Sequence, residues 1–494
     1  MLSQFALLIL GFFSQRAMNL YMGAELVGMN GVISNVINIL SVTELGISTA
    51  IVYHLYGALA RKDEAEIASL MNLYRKAYHV FAVLVFAAGM AGLPFIHLFM
   101  KNNSYSLSYI RVLYAMWLVR TVLSYLLTYR KSLLIADQKE YIASITGLIL
   151  NVVSYLAIIL LVTWEQNYLL ALGIGTVTEV VLNIWISWYV EQKYPFLRQR
   201  RKEKSTSSLT KRIVRDLKSL FISRISEKML YCTDNLIISG FIGVGTVGRY
   251  ANYCMITQAI SNILTILANT IQPTVGDYFT EKNRQRNYEI LRQLTFGFFC
   301  IASVVSVGLF SLITPFVRDI WLGPSYELGW GITVFCIVVL LVRIMGLPLS
   351  LVMGVTGLFE KEKNVGASSA LLNLIVSLAL VKPYGMAGVL LGTLLSYLLQ
   401  ILYRYIIYFR DFLEMPGEAL RYAQDIGEYL AVIAGEVLLM QKIVPLIYGA
   451  GGMLLFCVCF LLCIAIPLLL DLVIFGRGWR LQSIVTMVKG MRKA

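Results

Sequence analysis

The sequence predicts an all-α integral membrane protein of about fourteen transmembrane helices, arranged as two parallel six-helix lobes plus two C-terminal helices. Three observations carry this. Of 494 residues, 58% are hydrophobic and only 14% are charged. Apolar runs of about 20 residues, the length a helix needs to cross a bilayer, recur from end to end. The cations alternate between the two sides of those runs, as described below.

The first span, 2–22, lacks a charged leading segment and a small-residue cleavage site, so it reads as a retained helix. The second, 27–58, exceeds the bilayer thickness, which implies tilt or an interfacial extension. Spans at 77–100, 112–128, 141–162 and 168–190 complete an N-terminal lobe over 1–190. Residues 191–218, EQKYPFLRQRRKEKSTSSLTKRIVRDLK, are polar and strongly basic and read as a cytoplasmic linker. A C-terminal lobe over 219–410 holds spans at 219–241, 250–279, 293–317, 328–356, 365–381 and 387–409. Residues 411–494 supply two additional spans, 424–441 and 450–475, and a basic tail.

Of the 42 Lys and Arg residues, 31 fall in the connections after even-numbered spans and in the tail, and only six in those after odd-numbered spans. Cationic loops stay in the cytoplasm, so both termini are expected there. The net charge of +14 is explained by loops facing anionic lipid and calls for no nucleic acid.

The halves resemble each other beyond hydropathy. Asn19-Leu20 corresponds to Asn235-Leu236, and Lys62 to Lys282. Pro94-Phe95-Ile96 corresponds to Pro315-Phe316-Val317, and Leu118-Val119-Arg120 to Leu341-Val342-Arg343. Lys139 and Asn151 correspond to Lys361 and Asn373, and Gly175-Thr176 to Gly392-Thr393. All offsets lie between 216 and 223 residues. A unit of six spans returns the chain to its starting side, so the copies share an orientation and a pseudo-two-fold axis along the membrane normal.

Five cations remain inside spans: Arg16, Arg120, Arg224, Lys228 and Arg343. A cation at the bilayer centre costs about 2.5–3.5 kcal/mol, so it faces a polar cavity or a paired acid. Arg224, Glu227, Lys228, Tyr231, Asp234 and Asn235 lie on one helical face of an otherwise apolar span. The stripe reads either as the lining of a substrate-binding cavity or as an internal ion-pair ladder. Arg16, with Asn19 one turn on, reads as cavity lining or as a salt bridge to Glu44. Arg120 and Arg343 occupy matching places in the lobes, as cavity or structural residues. Glu44, Glu179 and Asp234 are candidates for coupling to an ion, as are Glu227 and Glu436.

All seven cysteines fall in spans without a CxxC pair, and His54, His79 and His97 are scattered, so no metal site is expected. No GxxxxGK[ST] motif occurs, which argues against intrinsic ATP use. No soluble domain is present to hold a catalytic site, and no enzymatic activity or cofactor is expected beyond H+, Na+ or the membrane potential as a driving force.

The segment Gly23-Ala24-Glu25-Leu26-Val27-Gly28-Met29-Asn30-Gly31, followed by Leu40-Ser41-Val42-Thr43-Glu44-Leu45-Gly46-Ile47, resembles the start of the polysaccharide transporter family. That family includes the Wzx-like flippases of the multidrug/oligosaccharidyl-lipid/polysaccharide (MOP) exporter superfamily. Ala60-Arg61-Lys62-Asp63, Met71-Asn72-Leu73-Tyr74-Arg75-Lys76, Asp234-Asn235-Leu236-Ile237-Ile238-Ser239 and Gly248-Arg249-Tyr250 add to the likeness. Arg249 departs from it, since an apolar residue is expected before the Tyr.

The resemblance implies a flippase that moves an undecaprenyl-diphosphate-linked glycan precursor from the inner to the outer leaflet of the bacterial plasma membrane by alternating access. It also implies cavity cations, which Arg16 and the stripe from Arg224 to Lys228 match. Partners would be the lipid-linked glycan, the bilayer, and the glycan polymerase and glycosyltransferases of the same pathway. One alternative is a multidrug or organic-cation antiporter of the same superfamily, which favours acids or aromatics in the cavity over Arg and Lys. A second is an integral-membrane glycan polymerase or ligase, which needs a sizeable outer loop, and the outer loops here are short.

Overall fold

Apolar, helix-favouring sequence with caps at the polar boundaries folds into a succession of long helices. In the computed structural model the described residues are 2–41, 45–198, 228–229, 232–279, 283–449 and 451–476. The helices are α1 (Leu2–Leu40), α2 (Leu45–Ala60), α3 (Glu64–Gly92), α4 (Leu107–Thr128), α5 (Lys131–Ala136), α6 (Glu140–Trp164) and α7 (Tyr168–Lys193). Helical residues 232–241 form α8. They are followed by α9 (Val244–Tyr278), α10 (Arg284–Pro315), α11 (Trp330–Val355), α12 (Phe359–Tyr384), α13 (Met386–Ile406), α14 (Pro416–Tyr448) and α15 (Met453–Phe475). Eleven of the described helices are long and apolar enough to cross a membrane; the predicted first span and the start of the second lie in the one helix α1, the rest of the second falls largely in α2, and of the seventh only 228–229 and α8 are described.

Polar side chains mark where helices start. Asp63 accepts from the backbone N–H groups of Ala65 and Glu66 at α3, and Ser106, Asn167 and Asn283 do the same at α4, α7 and α10. Each satisfies a donor that the first turn leaves open. α1 leaves helical geometry at Gly23, whose φ of 80° a residue with a Cβ rarely adopts. α12 ends at Gly385 with φ 58°, and the chain doubles back into α13.

The chain divides into two compact units, Met1–Ala251 and Asn252–Ala494. In the first, α1 packs on α6 and α4, α4 on α3 and α7, and α6 on α7. In the second, α13 packs on α11 and α12, while α10 packs on α11, α14 and α15. The two additional C-terminal helices are therefore seated on α10. Tyr288, Leu291, Leu294, Val352, Tyr408, Phe409, Leu413 and Tyr422 form a buried cluster in this unit. Lipid gives apolar helices no hydrophobic reason to associate, so close packing of small residues carries much of the cohesion. At Gly388 a Cβ would lie 2.4 Å from the Leu380 carbonyl oxygen, and at Gly392 2.4 Å from Ser377 Oγ. The outward faces remain apolar and exposed, as at Val83, Ile149, Val177, Leu446, Leu461 and Val473.

The predicted linker from 199 to 218, the tail from 477 on, and Lys282 lie outside the described residues.

Candidate functional site

Polar and charged side chains inside the first unit collect on α1, α4, α7 and α8. On α1, Arg16 is exposed, and Asn19 is buried with Nδ2 donating to the Gln15 carbonyl at 2.8 Å. Farther along α1, Asn30 Oδ1 accepts from Trp117 Nε1 at 2.8 Å and from Tyr168 Oη at 2.5 Å. One side-chain amide thus ties α1 to α4 and α7. In hydrocarbon such interhelical bonds contribute about 0.6 kcal/mol on average.

Arg120 on α4 donates from Nε to Glu179 Oε2 on α7 at 2.7 Å, and its guanidinium lies 5.2 Å from the Trp117 ring. Arg343 on α11 lies instead over the Tyr397 ring of α13 at 5.5 Å. The repeat offset of 217 that relates Gly175 to Gly392 carries Glu179 onto Ser396. The negative face of the Tyr397 ring attracts the Arg343 guanidinium.

Of the polar stripe, Lys228, Asp234 and Asn235 lie among the described residues, while Arg224, Glu227 and Tyr231 lie outside them, as does Glu44. Lys228 Nζ is 3.5 Å from the Asn38 carbonyl oxygen of α1. Asp234 is buried at 6% exposure, and Asn235 Oδ1 is buried with no hydrogen-bond partner among the described residues.

One end of the unit is closed by backbone contact. Ser104 donates from both N and Oγ to Glu25 Oε2, at 3.0 and 2.6 Å. Lys101 Nζ donates to the Phe241 carbonyl at 2.9 Å and Asn102 Nδ2 to the Ile242 carbonyl at 2.8 Å. Beside them α1 and α9 touch through glycines. A Cβ at Gly28 would lie 1.9 Å from the Val244 carbonyl oxygen, and one at Gly248 1.8 Å from that of Ala24.

The opposite end carries ion pairs. Arg130 and Glu191 meet at 2.5 Å. Asp137, between α5 and α6, accepts from Lys139 and from Tyr194 Oη. Partial burial pushes the Asp137 carboxyl up, but these two hydrogen bonds and the Lys139 charge outweigh it and hold the carboxyl below its ordinary range.

Three features escape sequence reasoning. The Asn30 node carries no charge and so gives no signal. Arg292, a loop residue by hydropathy, sits within α10 and forms a two-pronged ion pair with Asp425 of α14, at 2.6 and 3.0 Å. Asp471 lies inside the last predicted span and is buried on α15, yet it is not among the intramembrane acids that the sequence singles out. Among the described residues no group of three or more His, Cys, Asp or Glu side chains converges as a metal site would require.

A succession of long apolar helices, with no strand among the described residues, defines a multi-pass membrane fold. The chain belongs to the polysaccharide biosynthesis protein family, which it matches over residues 1–279, more than half of its length. It has the fold of the lipid II flippase MurJ in its inward closed conformation, with TM-score 0.72, 15% identity, and coverage of 96% of this chain and 98% of MurJ. A multidrug resistance MATE family transporter of the MOP superfamily, inward-facing, superposes with TM-score 0.63 at 14% identity, covering 81% of this chain and 93% of that one. The MATE multidrug transporter DinF-BH gives TM-score 0.57 at 16% identity, over 83% and 93%. No curated protein matches the chain by sequence.

Proposed function

We propose that this protein is a flippase moving an undecaprenyl-diphosphate-linked oligosaccharide or polysaccharide precursor from the inner to the outer leaflet of the bacterial plasma membrane by alternating access. The observation that carries the reading is membership of a polysaccharide biosynthesis family joined to a fold that spans nearly the whole of a lipid II flippase. The diphosphate is held by Arg16, Arg224 and Lys228, with Asn19, Glu227, Tyr231, Asp234 and Asn235 completing a polar lining. Guanidinium forks suit phosphate oxygens, and the polyprenyl tail stays in the bilayer. No covalent step is involved.

With the cell interior negative, each negative charge moved outward gains about 2.3 kcal/mol per 100 mV. The membrane potential therefore supplies a driving force, and H+ or Na+ coupling adds to it. Both termini lie in the cytoplasm, consistent with the 31 cations of the even-numbered connections and tail. Glycan polymerase and glycosyltransferases of the same pathway are the expected neighbours.

The second reading is a multidrug antiporter, favoured by the likeness to MATE transporters. Those neighbours cover 81–83% of this chain against 96% for the flippase, and five intramembrane cations suit an anionic cargo better than a cationic one. The deciding experiment is leaflet translocation of a lipid-linked glycan by the purified protein in liposomes, against efflux of an organic cation. Cation efflux without glycan translocation supports the antiporter.

A further inference from the structure

α10 and α14 run parallel and share two polar rungs. In the first, Arg292 pairs with Asp425. In the second, Ser303 Oγ donates to Glu436 Oε2 at 2.6 Å. Both pairs are separated by 133 residues in sequence, so the chain advances equally on the two helices between rungs. Eleven residues of helix place the second rung about 16 Å deeper in the membrane than the first.

The first rung is electrically balanced. The second is not. Glu436 and Asp471 are each only 3% exposed. α15, which carries Asp471, packs on both α10 and α14, and the charge of Glu436 reaches Asp471. Glu436 Oε1 and both oxygens of Asp471 have no hydrogen-bond donor among the described residues. Four buried carboxyl oxygens on two acids, served by one hydroxyl, are short of hydrogens.

Among the described residues no charge is seen to make up the shortfall. On α10 the nearest titratable group is the Cys300 thiol, and Arg292 is three turns away against Asp425. On α14 the next are Lys442, six residues on and exposed, and Tyr429, two turns toward the first rung. On α15 it is Cys463, two turns in the other direction. The one charged residue of α11, Arg343, lies over the Tyr397 ring of α13. At the far end of α10, Arg318 pairs with Asp319, and after α13 Arg410 pairs with Asp411.

Between the rungs lies an aromatic plate. Phe299 stacks on Tyr429 with centroids 4.5 Å apart, and Phe475 meets both edge-on at 5.5 and 5.7 Å. Phe296 packs against the same three rings. The plate separates the acid pair from the end of the helices that carries Arg292 and Asp425.

Two buried carboxylates that act on each other in a low-dielectric interior do not both ionise without a cation. We propose that Glu436 and Asp471 form an intramembrane proton-binding site at the seat of the C-terminal helix pair, holding at least one proton between them at neutral pH. The hydroxyl of Ser303 orients Glu436, and the protonated carboxyl supplies the missing donor. The aromatic plate leaves the far side of the rung as the route for proton exchange. The site stands independently of the cargo proposed above.

Infrared titration of the full-length protein in nanodiscs, in choline chloride and in deuterated water, reads the site directly. Wild type is expected to show a protonated-carboxyl band that persists at neutral pH. Glu436→Gln and Asp471→Asn should each remove or shift it, whereas Glu165→Gln, at an exposed position, should leave it in place. Absence of the band in wild type overturns the proposal without recourse to any variant. Persistence of an unchanged band in both single variants also overturns it, by placing the proton elsewhere. Loss of the band on replacing choline with sodium at constant pH overturns it in favour of a sodium site.

Discussion

Arg120 Nε and Glu179 Oε2 meet at 2.7 Å across α4 and α7, each side chain about 30% exposed. A half-shielded ion pair inside a helical bundle locks two helices and leaves a charge stranded when either partner goes. Arg120→Met is expected to destabilise by about 1.5–3 kcal/mol, the range for a hydrogen bond to a charged group. Adding Glu179→Gln should recover most of the loss. Thermal unfolding in detergent, run as a double-mutant cycle, checks this; additive losses would mean the pair is not coupled.

On the proposed function, cargo binding rests on the cations. Arg16→Ala and Arg224→Ala are each expected to cut glycan translocation at least tenfold in liposomes, with membrane insertion intact. Arg16→Lys should retain partial activity, since charge survives and the two-pronged fork does not. Asp234→Asn should weaken transport or shift its pH dependence. Normal transport by both Ala variants would assign these residues to internal ion pairs.

Topology follows the cation count. Single cysteines at 203–208 and beyond 490 should be labelled only from the cytoplasm, and those at 103 and 325 only from outside. Labelling of 203–208 from outside would overturn the orientation.

Gly28 and Gly248 leave no room for a side chain, because the facing carbonyls occupy the space of a Cβ. Gly28→Ala and Gly248→Ala should each cost about 1–3 kcal/mol, as overpacking does. Gly297→Ala, where the added methyl meets nothing within 4 Å, should be near neutral. The three melting temperatures decide it.

Asp137 supplies a pH test outside the membrane. Its hydrogen bonds from Lys139 and Tyr194 hold the folded-state carboxyl low, so its stabilisation is present above the unfolded value, about pH 4, and lost as pH falls through the folded one. Between pH 6 and pH 3 the melting temperature of wild type should therefore fall more steeply than that of Asp137→Asn. Parallel curves would show that the cluster contributes nothing.

The helices are legible in the sequence because lipid demands long apolar runs, and eleven of the described helices meet that demand. Helix ends are less so. Arg292 counts as a loop cation by hydropathy, yet α10 begins eight residues earlier, at Arg284. Partners are not legible at all. A single chain marks Arg120 and Arg343 as equivalents, but only packing gives the first an acid and the second a ring. Asp471 stays hidden because one acid in an apolar span has no spacing pattern, and its meaning comes from Glu436 on another helix.

The connection at 101–106 has a consequence for how this chain can change length. Lys101 and Asn102 cover the last carbonyls that α8 leaves open, and Ser104 grips Glu25. It is a clasp rather than slack, so an inserted residue there would pull a cap off one helix and a donor off another. The connection after Trp164, with Glu165, Gln166 and Asn167 all exposed, holds only the start of its own helix. Epitopes, fusions and natural insertions should accumulate ahead of Asn167 and be absent from 101–106.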